Sequence, residues 1–74
     1  MINREQILQL GYNSKTKGIK GDEDFIHNDF EERQYLINLN NGVIQIIKDT
    51  KLITNGSSFD DIENFKNWHN NYVK

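Results

Sequence analysis

Six carboxylates crowd residues 22 to 32: Asp22, Glu23, Asp24, Asp29, Glu31 and Glu32, with no Lys or Arg among them, a local charge of −6. Carboxylates in such number could do acid–base work, hold a cation or meet a basic surface. Acid–base work needs a partner group within hydrogen-bond reach and a perturbed proton affinity. No Ser-His-Asp or Glu-His arrangement can be read from the chain, and Ser57 and Ser58 are better explained as helix caps. Glu23, His27 and Asp29 would share one side of a strand and offer nitrogen and oxygen ligands. A metal site needs three or four convergent ligands with outer support, and one His with scattered carboxylates falls short. The third use remains: a negative patch that meets a basic groove, steered by charge and weakened by salt. The plain alternative is a solvated, charged strand edge that discourages unwanted pairing. The chain is therefore expected to work without metal or cofactor, and not as an enzyme.

Three lysines form the opposite feature. Lys15, Lys17 and Lys20 surround Gly18, and Gly21 follows. Glycines let a backbone approach a phosphate closely, so this stretch could cradle one. It lacks the Walker pattern, and lysines in a loop also simply solubilise. Two aromatics near the C-terminus, Trp68 and Tyr72, could anchor an interface. Tyr72 is expected in the core; Trp68 falls at the margin of its helix stripe, where both readings stay open. His69 lies on that stripe and reads as a packed histidine.

These side chains need elements to hold them. Residues 35–53 alternate apolar and polar around Asn41-Gly42, the strongest short-range hairpin signal, because a type I′ turn needs positive φ at both central residues. That turn sets Asn40 opposite Val43, Leu39 opposite Ile44, Ile37 opposite Ile46 and Leu36 opposite Ile47. One face carries Tyr35, Ile37, Leu39, Ile44 and Ile46 and is the expected core. The other carries Leu36, Val43 and Ile47 among Asn38, Asn40 and Gln45. It is apolar enough to serve as a self-association or target face. A third strand over residues 51–54 would set Ile53 opposite Ile46 and Leu52 opposite Ile47. A charged strand within residues 24–30 suits an edge position, with Glu23, Phe25, His27 and Asp29 on one side and Asp24, Ile26, Asn28 and Phe30 on the other. Residues 13–22 read as loop.

Two helices complete the plan. Asn3 and Gln6 have capping-box spacing, Ile2 and Ile7 make a hydrophobic staple, and Gly11 can end the helix with Tyr12 folding back. This short helix is expected to dock at the sheet edge or over part of the second face, near Leu36 and Ile47. A second helix is expected to begin at Ser57 or Ser58, with Ser58 and Asp61 as the capping pair. At 100° per residue, Ile62, Phe65, His69, Tyr72 and Val73 share an arc, with Phe59 at its edge. The expected fold is α+β: a three- to four-stranded antiparallel meander packed against a C-terminal helix, with a short N-terminal helix.

The chain of 74 residues makes one domain, 1–74, and carries no Cys, so neither a disulfide framework nor a thiolate zinc site is available. A domain this small is marginal without staples, which makes self-association or a partner a reasonable source of stability. No run approaches a membrane span and no signal-peptide pattern is visible, so a cytoplasmic protein without a membrane partner is expected. The net charge of −2 does not argue for nucleic-acid binding. Eleven Asn and no Pro suggest an AT-rich genome, as in many phages and low-GC bacteria, a hint of source and not of function.

The order of elements carries one resemblance. A capped Asn-Arg-Glu-Gln-Ile-Leu-Gln-Leu-Gly-Tyr helix is followed by an acidic strand, a Tyr-Leu-Ile-Asn-Leu-Asn-Asn-Gly-Val-Ile-Gln-Ile-Ile hairpin, then Leu-Ile-Thr-Asn-Gly and Phe-Asp-Asp-Ile-Glu-Asn-Phe. The chain resembles small orphan proteins of phages and mobile elements, in style and layout rather than through any one family's motif. Many such proteins inhibit host defences, anti-CRISPR proteins among them. The resemblance implies a non-enzymatic, phage-encoded inhibitor in the host cytoplasm. It would block a host defence or nucleic-acid-handling enzyme, bound at a basic surface through the acidic segment and Trp68. Leu36, Val43 and Ile47 would make a homodimer face. The alternatives are an oligomeric nucleotide-binding sponge using Lys15, Lys17 and Lys20, or a nucleic-acid-binding accessory protein.

Overall fold

The computed structural model describes residues 1–17, 22–28, 33–49 and 56–73. Asn41 and Gly42 have φ of 54° and 78°, the left-handed backbone that the hairpin turn demands. They join β3 (Gln34–Asn40) to β4 (Val43–Asp49). Asn40 pairs with Val43, Leu39 with Ile44, Asn38 with Gln45 and Ile37 with Ile46, as the turn dictates. The next pair departs from expectation. Leu36 faces Lys48 rather than Ile47, because β4 bulges there and two of its residues oppose one of β3. The predicted inward face survives: Tyr35, Ile37, Ile44 and Ile46 are wholly buried and Leu39 nearly so.

Two further strands, β1 (Asn13–Lys17) and β2 (Glu23–Asn28), extend the sheet beyond β3, and β5 (Ser58–Phe59) lies beyond β4. The order is β1-β2-β3-β4-β5, an antiparallel meander. Residues 13–17 are thus strand, not loop, and β2 is an inner strand rather than an edge. The charge that protects the edge sits one strand further out. Lys15 occupies a bulge in β1, and a lysine in a bulged edge strand blunts pairing with another chain. On β4's far side, Ile46 N–H donates to the Ser57 carbonyl (2.7 Å) and Gly56 N–H to the Ile46 carbonyl (2.9 Å). Ile46 therefore faces Ser57 on that side. The expected strand 51–54 lies outside the described residues.

Helix α1 (Arg4–Gln9) begins with the predicted capping box: Asn3 Oδ1 accepts from the Gln6 N–H and Gln6 Oε1 from the Asn3 N–H, both at 3.0 Å. Ile2 and Ile7 are buried as the staple, and Gly11, at φ 96°, turns the chain so that Tyr12 drops into the core. Helix α2 (Ile62–Tyr72) is capped by Asp61, whose carboxylate accepts from the Glu63 N–H at 2.9 Å. Neither serine caps it. Phe59 packs its ring against Phe65 and Trp68, which keeps residues 58 and 59 extended on the sheet and moves the helix start downstream.

Both helices lie on one side of the sheet. Tyr12, at the end of α1, meets Phe65 of α2 at a ring separation of 5.8 Å, and its hydroxyl lies 3.2 Å from His69 Nδ1. Ile2, Ile7, Phe25, Phe65, Trp68 and Val73 share the core with the hairpin's inward residues. Helix α1 thus does not cover Leu36 and Ile47, as its sequence suggested. Its staple and Tyr12 join the aromatic cluster instead, and among the described residues no helix covers the opposite sheet face.

Candidate interaction surface

The acidic segment divides between the two faces. Glu23 points inward, 6% exposed, where Arg4 grips it with two parallel bonds, Nε to Oε1 at 3.0 Å and Nη2 to Oε2 at 3.1 Å. Ser14 Oγ donates to Oε2 at 2.6 Å. Hydrogen bonding to Glu23, then its charge, raises the Arg4 pKa above its ordinary value. A forked guanidinium–carboxylate pair fixes geometry as well as charge, so Glu23 clamps α1 to β1 and β2. It is not a surface charge. Asp24 points to the opposite face, half-buried, and accepts from Asn38 Nδ2 at 2.8 Å. Asp22 is half-buried with one carboxylate oxygen shielded from solvent. Asp29, Glu31 and Glu32 lie outside the described residues.

The other candidates are placed as follows. Lys15 is exposed in the β1 bulge, Lys17 ends β1, and Lys20 lies outside the described residues. Trp68 is 5% exposed, stacked on Phe65 at 5.6 Å and edge-on to Tyr35 at 6.1 Å. Of its two open readings, the core reading is the one the packing matches. Tyr72, expected inside, is 40% exposed, and its carbonyl accepts from the Tyr35 hydroxyl. The two residues exchange roles because the helix turns its stripe toward Tyr35 and Phe59, one step round from the predicted arc. His27 is half-buried, with its ring 4.8 Å from Tyr12 and 5.2 Å from His69. Among the described residues no three His, Asp or Glu side chains gather around a point that could hold a metal, and no cavity opens.

The outer sheet face presents a broad surface with a definite pattern. Ile26, Leu36 and Lys48 line up across β2, β3 and β4, with Ile47 beside them at the bulge. The next row holds Asp24, Asn38, Gln45 and Ser58. Val43 and Asn40 follow near the turn. Val43 is 38% and Ile47 47% exposed, and Leu36 and Ile26 are half-buried. Leu36, Val43 and Ile47 share this face, as the alternation required. Ile26 is the addition. Its side of β2 was legible from alternation, but its place beside Leu36 depends on a pairing between distant segments. No helix of the described residues is long and apolar enough to cross a membrane.

No family model matches the chain, and no curated protein or solved structure matches it either.

Proposed function

We propose that this chain is a non-enzymatic protein-binding inhibitor, phage-encoded and anti-CRISPR-like in manner, that blocks a host defence or nucleic-acid-handling enzyme in the cytoplasm. Its acidic segment meets a basic surface on that enzyme. The observation that supports this reading is the separation of labour within the segment. Glu23 is committed to Arg4 and holds the fold, while Asp24 turns to the outer face and accepts from Asn38 there. A locally acidic stretch anchored at one end by a buried clamp suits charge-steered recognition.

The clamp also dictates the test. Reversing Glu23 would leave Arg4 facing a like charge and confound folding with binding. The informative variant reverses Asp29, Glu31 and Glu32 to Lys and keeps Asp22, Glu23 and Asp24. Tagged wild-type protein is expected to retain a basic, nucleic-acid-handling enzyme from a host extract, with retention falling steeply as salt rises. The triple variant is expected to lose that enzyme while melting at the wild-type temperature. Equal retention by both proteins would refute the electrostatic contact.

A further inference from the structure

We propose that the outer sheet face packs against the same face of a second copy. The result is a two-fold dimer in which Asp24 of each protomer meets the partner's Lys48. This goes beyond the inhibitor reading and does not rest on it.

Three observations converge. The first is the position of the charges. Asp24 stands on β2 and Lys48 on β4, on either side of the central strand β3, and both belong to outward rows. A two-fold axis lying in the interface along β3 carries β2 of one copy over β4 of the other. Each acid then falls on the side where the other copy holds its lysine, and the pair forms twice. Asp24 sits one outward row from Lys48, about 7 Å along the strands. The usual rotation of about 30° between stacked sheets, together with the long lysine side chain, spans that offset.

The second observation is the chemistry between the charges. Asn38, Gln45 and Asn40 are amides, each both donor and acceptor, so each can bond its own kind across a symmetric interface. Beside them run Ile26, Leu36 and Ile47, with Val43 toward the turn; this is the apolar part such an interface needs. An isologous contact requires a self-complementary patch, and this one is so in apolar rows, amides and charge.

The third is access. The helices and the aromatic core lie on the other side of the sheet, so two outer faces can meet without moving either helix. The β1 edge, by contrast, is blunted by the Lys15 bulge. Compared with the β1 edge, face-to-face stacking is therefore the more open route to self-association.

Sedimentation velocity across the micromolar range tests the proposal, with D24K, K48D and their equimolar mixture beside wild type. Wild type is expected to pass from monomer to dimer. Each single variant is expected to weaken the dimer by about tenfold or more, because two like-charge contacts replace two attractive ones. Mixing the two restores it, since the lysine that D24K introduces in one protein meets the aspartate that K48D introduces in the other, while the native pair forms at the second site. Lys48 is exposed, so K48D carries the argument even if D24K, which gives up the Asn38 bond, melts early. A wild type that stays monomeric throughout overturns the proposal. So does a dimer indifferent to K48D, or a mixture no stronger than its components. Asp29, Glu31 and Glu32 are untouched in every variant, so loss of the dimer and loss of a target are read separately.

Discussion

The two faces of the sheet use similar aliphatic residues and meet opposite fates. The inner face carries Ile37, Leu39, Ile44 and Ile46, none more than 9% exposed. The outer face carries Ile26, Leu36, Val43 and Ile47, the last nearly half exposed. Strand alternation produced both sets, so it cannot explain the difference. The aromatics can. Tyr12, Phe25, Tyr35, Phe59, Phe65 and Trp68 all belong to or pack on the inner cluster. Aromatic side chains bury the largest areas, and where they gather the covering elements follow. The outer face offers amides between its aliphatics, and an amide covered without a partner costs more than the neighbouring methyls gain.

The sharpest way to break this comparison is to remove one aromatic. Phe65 is wholly buried and touches Tyr12, Phe59, Trp68 and His69. Phe65→Ala is expected to cost about 3–5 kcal/mol, enough to leave a domain this small largely unfolded in water. Urea titration followed by circular dichroism would show it, and a midpoint near that of wild type would dissolve the argument for an aromatic-led core. A smaller loss is expected at the clamp. Glu23→Ala strands Arg4 and Ser14, but Arg4 is partly exposed and water replaces some of what is lost. A destabilisation of about 1–3 kcal/mol is expected, measured the same way.

How much of this the chain made legible follows from the range of each interaction. The Asn41-Gly42 turn, the Asn3/Gln6 capping box, the Gly11 stop and the alternation of β2 to β4 depend on residues a few positions apart, and all were readable. The β1 strand was not, because its stretch Asn-Ser-Lys-Thr-Lys has no apolar alternation; it is extended because β2 offers it an edge. The placement of α1 was missed for a related reason. Its stripe identifies an apolar face but not which of two sheet faces receives it, and Tyr12 decides that by reaching Phe65 and His69 from far away in sequence. Trp68 falls between core and surface on a rigid 100° wheel, which ignores how far an indole extends sideways. At the candidate surface, Leu36, Val43 and Ile47 were legible as a set. Ile26 and Lys48 joined them only through strand pairing and a bulge. The burial of Glu23 had a signal in principle, since a carboxylate beside Phe25 on the inward side of a strand needs a cation, and Arg4 is near.

At the hairpin tip the expected effect is smaller again. Gly42 has φ 78°, and an added Cβ would press on the Met1 side chain at 2.8 Å. Met1 Cε can swing away, but Met1 Cβ, equally near, moves only with a backbone tied to the turn by the Ile2 N–H bond to the Gly42 carbonyl, so the contact adds to the backbone penalty. Gly42→Ala is expected to cost about 1–2 kcal/mol with the fold retained. An unchanged melting temperature would mean that the left-handed turn matters less to the sheet than its register suggests.

The smallest effect belongs to the outer face, and it is the one that sharpens the contrast most. Ile47→Ala removes methyl groups already half in water, at a bulge where β4 is locally out of step with β3. In dilute solution, where any dimer has dissociated, the change is expected to stay within about 0.5 kcal/mol of wild type. Ile46→Ala, one residue earlier and wholly buried, should cost about 2–5 kcal/mol. The two substitutions delete the same atoms from adjacent residues, so side-chain chemistry cancels from their ratio and only the face remains. Equal losses would mean that the outer face is covered in solution even in the monomer. A gap of several-fold, narrowing as protein concentration rises, is what an open face that closes on a second copy must produce.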